Sequence, residues 1–202
     1  MKISVFLSTI LICLICVNFS LAQERKIKVA LHKIEGYGTN DSFANKAAQL
    51  LEDVLNSDEF KKEVLKGKFN STNGLSNQQL YDKIMTAHEE EGPGGQDGVV
   101  DLMVRTLRID SDESEWKKPC SKRTIGVDGA GTGITAICPQ KLIKWARDGR
   151  TEYLAAHYAH EYIHILGFHH KEKPKDESFV YQIGEIVEDL AEKRRKSDSN
   201  AS

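Results

Sequence analysis

Residues 151–166 are the stretch that most restricts the fold of this chain. Their sequence, TEYLAAHYAHEYIHIL, places apolar side chains around the whole circumference of a helix rather than along one stripe. A helix with a single apolar stripe covers the surface of a domain, whereas a helix that is apolar all round belongs in the interior. The sequence therefore predicts a domain with this helix at its centre.

Two histidines on this helix are spaced to share one metal ion. His160 and His164 are one helical turn apart, so their imidazoles project from the same face. Glu161 follows His160 directly, and helical geometry brings its carboxylate to the edge of the site without forcing it to bind the metal. We predict that the neighbouring His157 and His169 support the site or lie on the surface.

The chain after the helix offers a third ligand. Gly167 can adopt a left-handed backbone conformation without a Cβ clash, which allows the helix to end there and the chain to turn sharply. We expect this turn to bring His170 back to the metal ion. Three neutral imidazoles leave one tetrahedral position of zinc for water, which is typical of catalytic sites. We predict one Zn²⁺ bound by His160, His164 and His170.

The motif HExxHxxGxxH is complete in this stretch, at His160, Glu161, His164, Gly167 and His170. In these residues the chain resembles the metzincin clan of zinc endopeptidases. A chance match to the whole motif has a probability on the order of one in ten thousand. The resemblance implies an α/β (α+β) fold, a small zincin-like domain with a mixed twisted sheet, a central active-site helix and a C-terminal helix. It also implies peptide hydrolysis by a zinc-activated water, with Glu161 as general base.

One feature of the metzincin clan is missing. Its members carry a methionine in a tight turn beneath the metal, whereas all three methionines of this chain precede the motif. Residues 178–181 lie where that turn is expected, and we predict that Phe179 or Val180 supplies the apolar floor. The resemblance further implies that Tyr181 faces the metal or stabilises the oxyanion of the substrate.

Three other interpretations remain open at the level of sequence. Glu185 begins an ExxxD pattern with Asp189, similar to gluzincins such as thermolysin, and in that case it would replace His170 as third ligand. The histidine spacing is also similar to that of the YbeY-type metal-dependent endoribonuclease, although that family lacks the glutamate after the first histidine. The third interpretation is a secreted protein that holds zinc without catalysing a reaction.

The amino terminus has the pattern of a secretory signal peptide. Lys2 precedes an apolar run over residues 3–17, and small residues ending at Ala22 offer a cleavage site. An uncleaved membrane anchor is the alternative, because the run is nearly long enough to span a bilayer. We predict a signal peptide over residues 1–22 and a secreted or periplasmic protein without stable membrane association after cleavage.

Residues 23–202 have the length of a single domain with a substantial core. The formal net charge of −2, with both signs mixed along the chain, argues against nucleic acid as a partner. Cys120 and Cys138 are the two cysteines outside the signal, and such a pair in an oxidising compartment predicts a disulfide. We predict one metallopeptidase catalytic domain, a polar tail from about residue 196, a monomeric state and a polypeptide substrate.

Hydrophobic periodicity predicts the remaining elements. The patterns indicate strands over residues 26–34, 99–109 and 134–138, and helices over 44–55, with an extension or restart over 60–65, from 77 onward, and over 179–193. Loops are predicted at residues 92–95 and 110–115, whereas residues 126–133 are glycine-rich but lack the spacing of a phosphate-binding loop. Because residues 134–138 stand shortly before the histidine-bearing helix, we predict that they form the edge strand with which an extended substrate pairs.

Overall fold

The fold is an α/β domain, as predicted. The computed structural model describes residues 26–89, 95, 97–107, 120, 125–129, 133–171 and 177–201, so the predicted signal peptide and the acidic loop of residues 110–115 lie outside the described residues. The elements in chain order are β1 (Lys28–Glu35), a short 3-10 helix (Gly38–Asn40), α1 (Asp41–Leu55), α2 (Asp58–Lys66), α3 (Asn77–Thr86), β2 (Val99–Thr106), β3 (Gly126–Gly129), β4 (Ile134–Ile137), α4 (Pro139–Arg147), α5 (Thr151–Ile165) and α6 (Phe179–Ala201).

The sheet of the described residues has the strand order β1-β2-β4-β3. β1, β2 and β4 are parallel, whereas β3 runs antiparallel to β4. A parallel pair needs a long crossover, and α1, α2 and α3 supply it between β1 and β2. Three parallel strands and one antiparallel strand make the sheet mixed.

The prediction that residues 134–138 form an edge strand is wrong. β4 lies between β2 and β3 and pairs with both, and most of it is buried. The outer strand on this side of the described sheet is β3, which lies in the glycine-rich stretch of residues 126–133. Glycine has a low intrinsic preference for strands, so the local sequence gives little sign of β3, and pairing with β4 decides its conformation.

The other outer strand, β1, is covered by the carboxyl end of α1. The Glu52 carboxylate accepts a hydrogen bond from the Val29 amide at 2.9 Å. The Asn56 side chain both accepts from the Ile27 amide and donates to the Ile27 carbonyl, at 2.9 and 2.8 Å. These bonds occupy backbone groups that an exposed strand edge would otherwise leave to solvent or to another chain.

Two helices begin at capping residues. Ser57 caps α2 by accepting from the Phe60 amide at 3.2 Å, so the helical pattern after residue 55 restarts rather than extends. Ser76 and Gln79 form the predicted capping box at the start of α3. The sequence analysis did not identify α4, although Pro139 in its first turn is a start signal.

The histidine-bearing helix α5 lies in the core, as predicted. Eleven of its 15 residues are buried, and it packs against α1, α4, α6 and β3. The buried hydroxyl of Tyr158 donates to the Tyr37 hydroxyl at 3.2 Å, and that of Tyr162 donates to the Ile84 carbonyl at 2.8 Å. The helix is therefore held by apolar packing and by hydrogen bonds of its buried tyrosine hydroxyls, which gives its histidines a rigid support.

The final helix is longer than predicted. α6 continues to Ala201, through the residues predicted to form a polar tail. Glu192 lies within 3.7 Å of Arg195 and 3.4 Å of Lys196, and pairs at these spacings stabilise exposed helices. No helix in the described part of the chain is both long and apolar enough to cross a membrane.

The predicted disulfide between Cys120 and Cys138 is confirmed, with the two Cα atoms 5.6 Å apart. Cys138 immediately follows β4 and is buried. The Cys138 amide also donates to the carbonyl of Ile125, the residue before β3, at 2.8 Å. The disulfide therefore lies at the end of the sheet where β3 and β4 pair.

Candidate metal centre

Three histidines come together as predicted. His160, His164 and His170 each offer one ring nitrogen to a group whose atoms all lie within 4.8 Å of one another. Their ring centroids are 5.2 Å (His160–His164), 5.2 Å (His160–His170) and 4.8 Å (His164–His170) apart. Within the described residues this is the one group of at least three histidine, cysteine or acidic side chains arranged to hold a metal ion.

Gly167 makes the return of His170 possible. Its φ of +85° lies in the left-handed region that a residue without Cβ adopts freely. The Gly167 amide donates to the His164 carbonyl at 2.8 Å, and the Phe168 amide donates to the Ile163 carbonyl at 3.2 Å, so the helix closes with a tight turn. The chain then reverses and places His170 beside the two helical histidines.

Hydrogen bonds orient two of the three imidazoles. Nδ1 of His164 lies 2.7 Å from the Phe168 carbonyl oxygen, which can only accept, so Nδ1 carries the proton and donates. Nδ1 of His170 lies 2.8 Å from the Ser178 hydroxyl oxygen. In His164 the ring nitrogen with the lone pair is therefore Nε2, which is the tautomer typical of metal-binding histidines.

Burial favours the neutral form of His160. Removal from water, and to a smaller extent the nearby His164, His157 and His170, lowers its pKa to about 2 by disfavouring a positive charge. Imidazole binds metals only in its neutral form. His160 therefore offers a lone pair rather than a proton at neutral pH.

These donors fit a metal ion. Three atoms no more than 4.8 Å apart lie within about 2.8 Å of a common centre, and a small inward movement of the rings brings them to the zinc–nitrogen distance of about 2.0–2.1 Å. Three imidazoles are also a donor set that zinc, copper, iron and nickel accept. The residues present can therefore hold a transition metal.

Glu161, the residue after His160 on α5, is buried, with 4% of its surface exposed. Its Oε1 atom is 3.4 Å from Nδ1 of His157, which is also buried. Nε2 of His157 lies 3.3 Å from the Ala136 carbonyl oxygen on β4, and burial lowers the pKa of His157 to about 4, so the ring is neutral. His157 therefore lies between Glu161 and the sheet, and its supporting role stays a prediction.

Tyr181 lies against two of the histidines. Its ring centroid is 4.7 Å from that of His160 and 4.4 Å from that of His170, with the His170 ring stacked on it. The tyrosine is 41% exposed, so its ring borders the site from the solvent side. Residues 178–181, where the metzincin methionine turn is expected, span the start of α6.

Phe179 and Val180 are both fully buried, and their role as an apolar floor stays a prediction. Phe179 packs edge-on against Phe168, with ring centroids 4.9 Å apart, and against Phe69 at 5.3 Å. Phe168 lies in the loop that leads to His170, and its carbonyl accepts the hydrogen bond of His164. By packing on Phe168, Phe179 supports this loop.

Glu185, the alternative third ligand, lies outside the histidine group. It is exposed, and its Oε2 accepts a hydrogen bond from the Gln182 side chain at 2.8 Å. His169 is also exposed and stacks on His164 with ring centroids 5.8 Å apart, consistent with the predicted surface position. The structure thus brings His170, and not Glu185, to the two helical histidines.

The sequence analysis did not identify Ser178 as a residue of the site. A serine directly before an apolar helical segment is a helix-start signal, and that signal was present. Its contact with His170 was not predictable in the same way, because it depends on how the loop and α6 meet.

No family model matches the chain, and neither a curated protein nor a solved structure matches it.

Proposed function

We propose that this protein is a secreted zinc-dependent endopeptidase. The observation that carries the proposal is the grouping of His160, His164 and His170 within 4.8 Å, with the buried Glu161 directly after His160 on α5. Zinc is the metal of choice because three neutral imidazoles leave it one position for water or substrate. The Cys120–Cys138 disulfide supports a compartment outside the cytosol.

The histidines, Glu161 and Tyr181 each have a separate role in peptide hydrolysis. Zinc held by three imidazoles supplies Lewis acidity to a water molecule and to the peptide carbonyl. Glu161 takes the proton of the attacking water and later delivers it to the nitrogen of the leaving amine. Tyr181, which borders His160 and His170 from the solvent side, donates its hydroxyl proton in a hydrogen bond to the oxyanion.

The substrate is a polypeptide in extended conformation that pairs with β3. Support for this choice comes from the position of β3 as the outer strand of the described sheet on the side of β4. Gly126 of β3 lies so close to His157 that an added Cβ would be 2.5 Å from the imidazole, and His157 in turn lies 3.4 Å from Glu161. A peptide added to this edge gains backbone hydrogen bonds next to the site.

The decisive experiment replaces Glu161 by glutamine, which keeps the shape of the side chain and removes its basicity. Metal analysis of the purified protein should give one zinc per chain in both wild type and Glu161→Gln, while kcat/KM for an unstructured protein substrate falls by at least roughly 100-fold. Undiminished cleavage by Glu161→Gln would refute its role as base. A wild type that retains zinc and cleaves no peptide would favour a protein that only holds zinc.

The ligand set is tested separately from the activity. His160→Ala and His164→Ala should each abolish stoichiometric zinc binding, and His170→Ala should weaken it far more than Glu185→Ala does. Glu185 is the matched control because its carboxylate is exposed and outside the histidine group. The opposite order of His170 and Glu185 would support a gluzincin-type site.

A further inference from the structure

The third histidine differs from the other two in how the protein holds it. His160 and His164 lie on α5, whose backbone hydrogen bonds keep them one turn apart. His170 lies in the segment after Gly167 and outside any helix. Its orientation must therefore come from contacts with other parts of the chain, and the contact with Ser178 is one of them: Oγ lies 2.8 Å from Nδ1, and Ser178 is fully buried.

The hydroxyl oxygen of Ser178 is placed to accept. It accepts from the Tyr181 amide at 3.5 Å, a capping contact at the start of α6. For His170 to bind a metal through Nε2, its proton must lie on Nδ1, and that proton then points at Ser178 Oγ. One oxygen thus caps the helix and, when His170 is in the metal-binding tautomer, accepts the hydrogen bond from its Nδ1.

Ser178 is itself held by a segment about 100 residues earlier in the chain. Asn70 and Ser178 form a parallel β-bridge, in which the Asn70 amide donates to the Glu177 carbonyl at 3.0 Å and the Phe179 amide donates to the Asn70 carbonyl at 2.9 Å. The Phe69 ring packs against Phe179. The start of α6 is therefore docked on residues 69–70 by backbone bonds and by an aromatic contact.

The same segment also contacts the loop that carries His170. The Asn73 side chain donates to the Gly167 carbonyl at 3.4 Å, and the Lys171 ammonium donates to Asn73 Oδ1 at 3.1 Å. We call residues 69–73 the bracing segment. It contacts the loop on both sides of His170, and it also pairs with Ser178, the hydrogen-bond partner of His170. None of these residues belongs to the group of metal-binding nitrogens.

We propose that Ser178 is the positioning residue of the third metal ligand, and that the bracing segment couples metal binding to the docking of α6. This inference rests on the metal site of the proposed function but not on peptide cleavage. Loss of the Ser178 hydroxyl removes the acceptor that holds the proton on Nδ1 of His170. Changes to such partners of metal-binding histidines typically weaken metal binding by roughly 10–100-fold.

The test measures zinc affinity by competition with a chromophoric chelator. Ser178→Ala should bind zinc roughly 10–100-fold more weakly than wild type. Ser57→Ala is the matched control, because Ser57 also caps a helix through its hydroxyl but lies at the start of α2, outside the histidine group. Its zinc affinity should stay at the wild-type value, and Ser178→Thr, which keeps the hydroxyl, should restore most of the affinity. Equal affinity of Ser178→Ala and wild type would overturn the proposal.

Two measurements on the unmodified protein keep the proposal testable if Ser178→Ala does not fold. Long-range ¹H–¹⁵N spectra of the zinc-loaded protein should show His170 protonated at Nδ1 and coordinated through Nε2; the reverse assignment would overturn the proposal. Zinc should also slow hydrogen exchange at the amides of Asn70 and Phe179 more than at the amide of Phe60 in the α2 cap, and equal slowing would refute the coupling.

The outcomes separate this proposal from the proposed function. A wild type that binds zinc but cleaves no peptide would contradict the peptidase assignment, while the affinity difference between Ser178→Ala and Ser57→Ala would still support the role of Ser178. A wild type that binds no zinc would overturn the metal site and the positioning role together. Full peptide cleavage with unchanged zinc affinity in Ser178→Ala would overturn the positioning role alone.

Discussion

Phe179 packs against the loop that carries His170, and truncation of its side chain should affect both stability and metal binding. The side chain is fully buried between Phe168 and Phe69, with ring centroids 4.9 and 5.3 Å away and edge-on geometry in both pairs. Truncation of a buried phenylalanine to alanine costs about 3–5 kcal/mol, and each aromatic pair contributes about 0.5–1.5 kcal/mol beyond burial. We therefore expect Phe179→Ala to lower the free energy of unfolding by about 4–5 kcal/mol, near the top of that range.

Urea unfolding of the chelator-treated protein measures this change without a contribution from bound metal. Phe179→Leu keeps most of the apolar volume and should lose only about 1–2 kcal/mol, so it remains measurable if Phe179→Ala does not fold. The matched control is Phe60, which is also fully buried but lies on α2. Phe60→Ala should cost about 3–5 kcal/mol.

Zinc affinity then distinguishes support of the site from general packing. Phe179→Leu should weaken zinc binding, because Phe179 adjoins Ser178 in sequence and packs on Phe168, whose carbonyl orients His164. Phe60→Ala should leave the affinity unchanged. A loss of less than about 2 kcal/mol in Phe179→Ala would refute the packing estimate. Equal weakening of zinc binding in the Phe60 variant would refute the specific role of Phe179.

Three further predictions concern the rest of the molecule. Gly126→Ala should destabilise the protein by about 1–3 kcal/mol in urea titrations, since its Cβ would lie 2.0 Å from the Ala136 carbonyl oxygen, whereas Gly95→Ala, with open space around it, should change stability by less than about 0.5 kcal/mol. Burial raises the pKa of Glu89 from 4.5 to about 7, so its ionisation opposes folding, and stability should fall as the pH rises from about 4.5 to about 7. Glu89→Gln should flatten that part of the pH profile, and an unchanged profile would contradict the assignment. The unreduced, denatured mature protein should show no titratable thiol, because Cys120 and Cys138 are bonded, and two thiols would exclude the disulfide.

Local rules account for the features that the sequence predicts well. Helical geometry alone puts His160 and His164 on one face, because residues four apart lie above one another whatever surrounds them. The capping box at Ser76 and the left-handed turn at Gly167 likewise depend on a few neighbouring residues. The interior position of α5 follows from its composition, since a helix that is apolar all round has to be enclosed.

Tertiary structure decided the features that depend on distant residues. Both His170 and Glu185 follow the helix at plausible spacings, and the position of α6 leaves Glu185 exposed while the turn at Gly167 brings in His170. β3 forms because β4 offers it a partner, although its own residues have a weak preference for strands. Ser178 reaches His170 because Asn70, far away in the chain, docks the start of α6 beside the loop. Such contacts follow from the packing of whole elements, and no local pattern of residues encodes them.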